Sequence, residues 1–160
     1  MRVTIAVILL SSGITFAQKK DDAPILFPIK NLFLAMEQGD SALLRKSFFT
    51  DVTLITVLEI EGKISLRKEQ LMDFLTAVGS PHTDRWLEPI WDVKIEREGN
   101  FAQVWASYAF YAGTKFSHCG VDTFQLVNTP DGWKIFYLAD TRNKTDCKIP
   151  EKISKQYTQK

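Results

Sequence analysis

The sequence predicts an α+β domain, with three helices in the N-terminal half packed on a curved, mainly antiparallel sheet. Apolar residues recur at helical spacing early in the chain, whereas from Trp86 onward they fall into four successive strand-like segments. Gly, Asn, Pro and Asp mark the breaks between segments, where turns are expected. Helices gathered early and strands gathered late are typical of one sheet wrapped over a helical layer.

Three segments are predicted to be helical. The first spans 29–38 and ends at Gly39, the second is capped by Asp40 or Ser41, and the third spans 68–78. Each carries an apolar stripe, formed in turn by Ile29, Leu32, Phe33 and Met36, by Leu43, Leu44 and Phe48, and by Leu71, Met72, Leu75 and Val78. The short Gly-Asp connection makes the first two helices a helical hairpin.

The other segments are predicted to be strands. Residues 52–61 are rich in β-branched side chains and predict a strand. A turn at Gly62 would connect it to a short partner strand over 63–67. Four long strands follow, over 86–97, 101–112, 116–127 and 133–141. Gly113-Thr114 is a two-residue hairpin signal, and Thr129-Pro130-Asp131-Gly132 suits a type I turn before the last strand.

The first residues have the composition of a secretory signal peptide. Arg2 supplies a positive start, residues 3–10 are apolar, and Thr15-Phe16-Ala17 forms a small-x-small cleavage pattern. The apolar run is shorter than the about 20 residues that a membrane-spanning helix needs. The alternative is a buried N-terminal helix or strand. We expect residues 1–17 to be removed and the mature protein to be secreted or periplasmic.

Within the mature chain we expect one domain. We predict an extended, charged leader over residues 18–28, a folded domain over residues 29–147 and a flexible polar tail over residues 148–160. With 45% hydrophobic residues over the whole chain, this length suits a single substantial core.

The charge balance argues against two classes of partner. The chain has 20 Lys and Arg against 19 Asp and Glu, and removal of residues 1–17 takes away Arg2, which leaves 19 of each. A neutral chain without a basic cluster does not favour nucleic acid or an anionic membrane surface. No later apolar stretch is long enough to cross a bilayer, so we expect no membrane span in the mature chain.

Cys119 and Cys147 are the two cysteines of the chain. Export to an oxidising compartment would allow a disulfide, which would stabilise the fold by roughly 3–4 kcal/mol on the chain-entropy model. The chain would then have to fold back after Asn143. The sequence leaves this bridge and two free thiols equally open. A catalytic thiol at Cys119 served by His118 is poorly placed, because neighbouring residues of a strand point to opposite faces.

No motif indicates a metal, a nucleotide or a serine nucleophile. The other histidine of the chain, His82, stands in a loop, and no H-x-x-x-H, C-x-x-C or aspartate-rich loop is present. G-x-G-x-x-G, P-loop and G-x-S-x-G patterns are missing as well. We therefore expect neither a metal nor a cofactor.

Two stretches of the strand region, GNFAQVWASYAFY (99–111) and DTFQLVNTPDGWKI (122–135), resemble the nuclear transport factor 2-like superfamily. The resemblance is to its secreted bacterial members of the SnoaL-like and lumazine-binding-like kinds, and it covers essentially the whole mature chain. It implies a cone, in which the sheet bends around the helices and leaves a cavity open at one end. Ketosteroid isomerases, scytalone dehydratase and limonene epoxide hydrolase, which are catalytic relatives, use acidic, His or Tyr side chains there. The superfamily also contains binding domains and scaffolds, so the resemblance does not choose a function.

Candidate site residues lie on the hairpin around Gly113-Thr114. Pairing across this turn predicts Ala109 opposite His118 and Trp105 opposite Asp122, all on one face, with Tyr108 on the other. Small residues among aromatic ones leave a hollow of the kind that binds ligands. Which face lines the cavity stays open, because a shift of one residue exchanges the two faces. The residues predicted to line a ligand site are Trp105, Tyr108, His118, Asp122 and Tyr137.

His118 and Asp122 are the candidate catalytic residues if the protein is an enzyme. Positions i and i+4 of a strand lie about 13 Å apart, so the two could bracket a substrate without touching. Either could act as general base, with Tyr108 or Tyr137 donating to an oxyanion.

A purely structural role is the stronger interpretation for both side chains. His118 would be a histidine satisfied at the rim of the cone, and Asp122 a carboxylate held by Trp105 Nε1 or by Arg142. Asp140 and Arg142 predict an ion pair at the end of the last strand.

From these observations we expect a non-catalytic domain that binds a small apolar or aromatic molecule. The last strand is apolar on both faces, which favours a homodimer through the sheet. The first alternative is an isomerase, dehydratase or hydrolase that uses a pocket Asp or His as base. The second is a dimeric interaction scaffold whose cavity is filled by side chains.

Overall fold

A computed structural model describes residues 21–158 of the chain, so the predicted signal peptide over 1–17 lies outside the described residues. Within them the helices are α1 (Ala23–Gln38), α2 (Ser41–Ser47), α3 (Leu71–Gly79) and α4 (Glu151–Thr158). The strands are β1 (Phe48–Ile60), β2 (Lys63–Glu69), β3 (Trp86–Leu87), β4 (Ile90–Glu98), β5 (Phe101–Ala112), β6 (Lys115–Thr129) and β7 (Gly132–Thr141).

All of these strands join one curved, open sheet, in the order β2-β1-β7-β6-β5-β3, with β4 also paired to β5. The pairs are antiparallel apart from β1 and β7, which run parallel. The predicted α+β class with a mainly antiparallel sheet is confirmed. No helix of the described region is long and apolar enough to cross a membrane.

The core lies between the helices and the inner face of the sheet. Helix α1 buries Ile25, Ile29 and Leu32 there, and β6 contributes Phe124 and Leu126, all at most 2% exposed. These positions follow the helical and two-residue periods that the sequence shows. Apolar packing fills one end of the cone, and the polar residues described below lie toward the other.

Two helix predictions need correction at their ends. The leader over 18–28 is not extended throughout, because α1 already begins at Ala23; Pro24 fits its first turn, where no amide hydrogen bond is needed. Phe48 does not continue the second helix. It has extended backbone angles, opens β1 and pairs with Ile135.

The predicted strand over 86–97 is broken in two. Pro89 interrupts it, and β3 and β4 then pair separately with β5. The Pro89 carbonyl accepts a hydrogen bond from the Ala109 amide at 3.2 Å, which keeps the break against the sheet. The interruption sets Glu88, which belongs to neither strand, beside the inner face.

The predicted register of the β5–β6 hairpin is wrong beyond its first pairs. Tyr111 pairs with Phe116 as expected, but Ser117 forms a β-bulge, so Phe110 and not Ala109 lies opposite His118. The extra residue shifts the following pairs by one, and Asp122 then pairs with Ala106. Because of this single bulge, the residues of β6 that follow Ser117 share a face with a different set of β5 residues than predicted.

The tail predicted to be flexible over 148–160 instead contains α4, which packs against the outer face of the sheet. Tyr157 stacks on Tyr111 with ring centroids 5.6 Å apart, and Ile149 joins the same apolar cluster. A disulfide joins Cys119 on β6 to Cys147 ahead of this helix, with the two Cα atoms 5.9 Å apart. The chain folds back after Asn143, whose amide and carbonyl bond to those of Cys119.

Candidate functional site

The cone encloses a cavity of about 90 Å³ that adjoins a wider opening of about 480 Å³. Its apolar wall is formed by Leu32, Phe33, Met36, Leu54, Phe74, Phe124 and Leu138. Its polar wall is formed by Thr56, Glu69, Glu88, Tyr108, His118, Asp122, Asp140 and Arg142. The cavity is thus apolar with a concentrated polar region, as small-molecule sites commonly are.

The polar region is built on a row of residues across three strands. Asp122 of β6 lies opposite Asp140 of β7, and Asp140 in turn lies opposite Thr56 of β1. Two carboxylates directly opposite each other would repel. The two groups are therefore neutralised separately, in different ways.

Asp140 is neutralised by a cation. Arg142 Nε lies 2.6 Å from Asp140 Oδ2, which confirms the predicted ion pair at the strand end. Burial opposes the charge of Arg142, but the hydrogen bond and charge of Asp140 outweigh it and raise the pKa of the guanidinium. Tyr108 donates its hydroxyl proton to the Thr141 carbonyl at 2.8 Å, with Asp140 Oδ2 at 3.4 Å. Burial raises the pKa of Tyr108, so this phenol stays protonated.

Asp122 is neutralised by a proton. It is 3% exposed, and its Oδ2 accepts no hydrogen bond from any amide, hydroxyl or basic group of the described residues. Its side chain instead forms a hydrogen bond with Glu88. Two carboxyl groups can bond in this way only when one of them is protonated. Burial and the neighbouring Glu88 charge raise the pKa of Asp122 well above its usual value, and burial raises the pKa of Glu88 to about 8.

His118 lines both the cavity and its opening. Its ring stacks on Phe110, meets Tyr108 edge-on, and has Nδ1 2.9 Å from Ser117 Oγ. Burial, followed by the positive charge of Arg142, lowers the pKa of His118 to about 4. The imidazole is therefore neutral near pH 7, and it contributes an aromatic surface rather than a charge.

The structure brings together three of the five predicted ligand-site residues, namely Tyr108, His118 and Asp122. Trp105 and Tyr137 do not line this cavity. Trp105 is 45% exposed and pairs with Thr123 on the outer face, and Tyr137 pairs with Gln125 on the same side. The predicted contact of Asp122 with Trp105 or Arg142 is replaced by the contact with Glu88.

Glu88 is the site residue that the sequence prediction missed. It is the one charged residue within the apolar run WLEPIW, directly before Pro89. A charged residue at an interruption of a buried strand could have indicated a site. The predicted strand over 86–97 concealed it, because there Glu88 would be one alternating polar residue among others.

Within residues 21–158, no group of three or more His, Cys, Asp and Glu side chains is arranged to hold a metal ion.

A cone-shaped α+β domain with a partly polar, enclosed cavity is the class of protein that this fold and site define. The model of the family described as "Putative lumazine-binding" matches residues 20–137, and the chain belongs to that family. The resemblance noted in the strand region is confirmed at the level of family and fold. None of the curated proteins compared matches the chain.

Solved structures share the fold at low sequence identity. An NTF2-like protein of unknown function from Methylobacillus flagellatus is 18% identical, with a TM-score of 0.58, and the match covers 82% of this chain and 99% of that one. A protein from Streptomyces avermitilis described as a "putative dehydratase from the NTF2-like family" is 18% identical, with a TM-score of 0.60 over 76% and 95%. One from Novosphingobium aromaticivorans described as a "putative aromatic ring hydroxylase" is 15% identical, with a TM-score of 0.59 over 78% and 90%. At these identities the likeness concerns the fold alone.

Proposed function

We propose that the protein binds a small molecule with an apolar or aromatic body in the cavity of the cone. The observation that carries this proposal is Asp122, a buried carboxyl group that lines the cavity and whose Oδ2 has no donor from an amide, hydroxyl or basic group of the described residues. Buried polar atoms are normally satisfied, so an unsatisfied one on a residue that lines a hollow indicates a place for a ligand group. The aromatic residues Phe33, Phe74 and Phe124 supply the apolar contact surface.

A matched pair of substitutions tests this proposal. Thr56→Ile adds volume inside the cavity, where Thr56 is 4% exposed, whereas Thr123→Ile makes the same change on the outer face of β6. Small aromatic fragments such as phenol, indole and benzyl alcohol would be screened by saturation-transfer NMR. We expect fragments that bind the wild-type protein to lose saturation transfer with Thr56→Ile and keep it with Thr123→Ile. Binding that survives Thr56→Ile would place the site elsewhere and contradict the proposal.

The contact between Glu88 and Asp122 favours a second candidate, an enzyme that moves a proton. A carboxyl with a pKa of about 8 is a suitable base near neutral pH, and a protonated neighbour could donate to the substrate oxygen. In such a step Glu88 would remove a proton from the carbon next to a carbonyl while Asp122 protonates the oxygen, which yields an enol. His118, neutral beside them, would be a weaker base.

Deuterium exchange distinguishes this candidate from plain binding. With cyclohexanone in D₂O, an enzyme would replace the protons next to the carbonyl faster than buffer alone, and Glu88→Gln and Asp122→Asn would abolish the acceleration. Glu96→Gln, an exposed position on β4, is the matched control. No acceleration by the wild-type protein would leave binding as the function.

We also propose that the protein is secreted or periplasmic and forms a homodimer. The signal-like sequence of residues 1–17 and the Cys119–Cys147 disulfide support export. The exposed Phe101, Trp105 and Val93 outside the area covered by α4 support a dimer through the rest of the outer face. Light scattering should give twice the monomer mass, and Trp105→Glu should give the monomer. Cell fractionation and N-terminal sequencing test export.

A further inference from the structure

The carboxyl groups of Asp140, Glu88 and Asp122 line the cavity, and they differ in whether they have a cationic partner. Asp140 has a cationic partner in Arg142 at 2.6 Å. Glu88 and Asp122 have none, since no Lys or Arg of the described residues forms an ion pair with either. These two carboxyl groups contact each other instead, on the inner face of the cone.

The carboxyl pair has no counter-ion, although Asp122 is buried and Glu88 is half-buried, and such a pair is stable only in a neutralised form. Transfer of an isolated carboxylate out of water costs far more than transfer of a neutral group, so the pair holds a proton when the cavity is empty. Asp122 is 3% exposed and lines the cavity, and its Oδ2 still takes no hydrogen bond from an amide, hydroxyl or basic group of residues 21–158. The site therefore offers a negative group to any cation that can enter.

The remaining walls suit an organic cation better than a hydrated inorganic one. Aromatic faces attract organic cations, and Phe33, Phe74, Phe124, Tyr108 and His118 all line the same space. His118 does not oppose a positive ligand, because its ring is neutral near pH 7.

We infer that the cavity takes a small organic cation, an amine or quaternary ammonium with an apolar body, whose positive group neutralises the Glu88–Asp122 pair. This inference rests on the proposed small-molecule binding and names its ligand class. The wider opening neither strongly repels nor strongly attracts such a cation, because the positive charges of Arg67 and Lys68 there are balanced by the negative charges of Glu69 and Asp73.

Binding of a cation should release a proton. The pair faces Tyr108 of β5, His118 of β6, Asp140 of β7, and Arg142 directly after β7. Of these, Tyr108 and His118 are neutral near pH 7 and Asp140 is matched by Arg142, so the exchangeable proton is that of the Glu88–Asp122 pair. Affinity for the cation should therefore rise with pH and level off above the pKa of Glu88, which is about 8.

The experiment compares three probes of nearly equal size that differ in charge: benzylammonium, benzyl alcohol and benzoate. Calorimetric titration of the full chain at pH 7 should give benzylammonium at least about tenfold tighter binding than benzyl alcohol, and benzoate the weakest. Buffers of different ionisation enthalpy should report about one proton released per benzylammonium bound. Asp122→Asn should remove the preference for the cation, so that benzylammonium binds no more tightly than benzyl alcohol. Asp51→Asn, the same change at an exposed position of β1, should keep the preference.

The possible results separate the inference from the function on which it rests. If benzyl alcohol binds as tightly as benzylammonium, or if Asp122→Asn keeps the preference, the inference is wrong and small-molecule binding stands. If none of the three probes binds, both are wrong. If Asp122→Asn does not fold, the wild-type protein decides alone: affinity for benzylammonium that does not rise between pH 6 and pH 8 overturns the inference.

Discussion

The two faces of strand β6 carry different chemistry within one short stretch of chain. His118 and Asp122 line the cavity together with other titratable groups, and Gly120 lies between them on the same face of the strand. Cys119, between them, faces outward into an apolar cluster that the chain closes with its own Ile149 and Tyr157. Neighbouring residues of β6 therefore serve different purposes: those on the inner face belong to the candidate site, and Cys119 on the outer face anchors the C-terminal segment through its disulfide with Cys147. It also shows that a sheet apolar on both faces need not be covered by another chain over its whole area.

The largest effect is expected from Gly120→Ala, on the inner face. A Cβ atom at this position would overlap the backbone carbonyl of Thr141, the group that accepts the Tyr108 hydrogen bond. Because backbone cannot move aside easily, we expect a loss of at least about 3 kcal/mol in the free energy of unfolding, measured by urea denaturation. Gly62→Ala is the control: it has a positive φ but open space around it, and should cost about 1 kcal/mol. A smaller cost for Gly120→Ala than for Gly62→Ala would contradict the close approach of β6 and β7.

The second largest loss of stability is expected from removal of the Cys119–Cys147 disulfide on the outer face. Cys147→Ser removes a disulfide that closes a separation of 28 residues, and should lower the free energy of unfolding by about 3 kcal/mol. Ser154→Ala, on the same C-terminal segment but outside the bridge, is the control and should change stability by less than about 0.5 kcal/mol. Equal stability of wild-type and Cys147→Ser protein under oxidising conditions would argue that α4 alone holds this face.

The inner face should make stability depend on pH. The pKa of Glu88 in the folded protein is raised above its unfolded value, so its contribution is fully present below about pH 4.5 and is lost as pH rises through about 8. The pKa of His118 is lowered to about 4, so its contribution is lost only as pH falls below about 6.5. Between pH 6.5 and pH 8 the carboxyl pair acts alone, and stability should fall by about 2 kcal/mol.

Urea denaturation at half-unit intervals of pH measures this decline. The double substitution Glu88→Gln with Asp122→Asn should flatten it, because burial raises the pKa of both acids and neither amide can bind the proton. A wild-type stability that rises over this interval would show that the pair is ionised in the folded protein.

The fold was largely predictable from the sequence because periodic burial fixes it. Strand β5 runs over the predicted 101–112, and the turns at Gly113 and Gly132 adopt the positive φ that glycine favours. The family followed from residues of the same strands. These features are local, because each is determined by a few neighbouring residues.

The site was predictable only in part, because it depends on single irregularities. The bulge at Ser117 decides that Tyr108, His118 and Asp122 share a face, and no periodicity encodes it. The break at Pro89 brings Glu88 to Asp122 across a distance in sequence that spacing cannot reveal. Pairwise partners of this kind arise from tertiary structure, so the sequence provided the candidate residues and not their pairing.

The smallest expected effect tests how the outer face is closed by α4. Tyr157→Ala removes the ring that stacks on Tyr111 at 5.6 Å and should cost about 1 kcal/mol, because Tyr157 is only half-buried and the disulfide still holds the segment. Gln156→Ala, exposed on the same helix, should cost almost nothing. Combined with Cys147→Ser, Tyr157→Ala should lose most of its effect, because without the bridge the helix is already weakly held. Full additivity of the two substitutions would mean that stacking and disulfide act independently, and that the outer face is closed by two anchors rather than one.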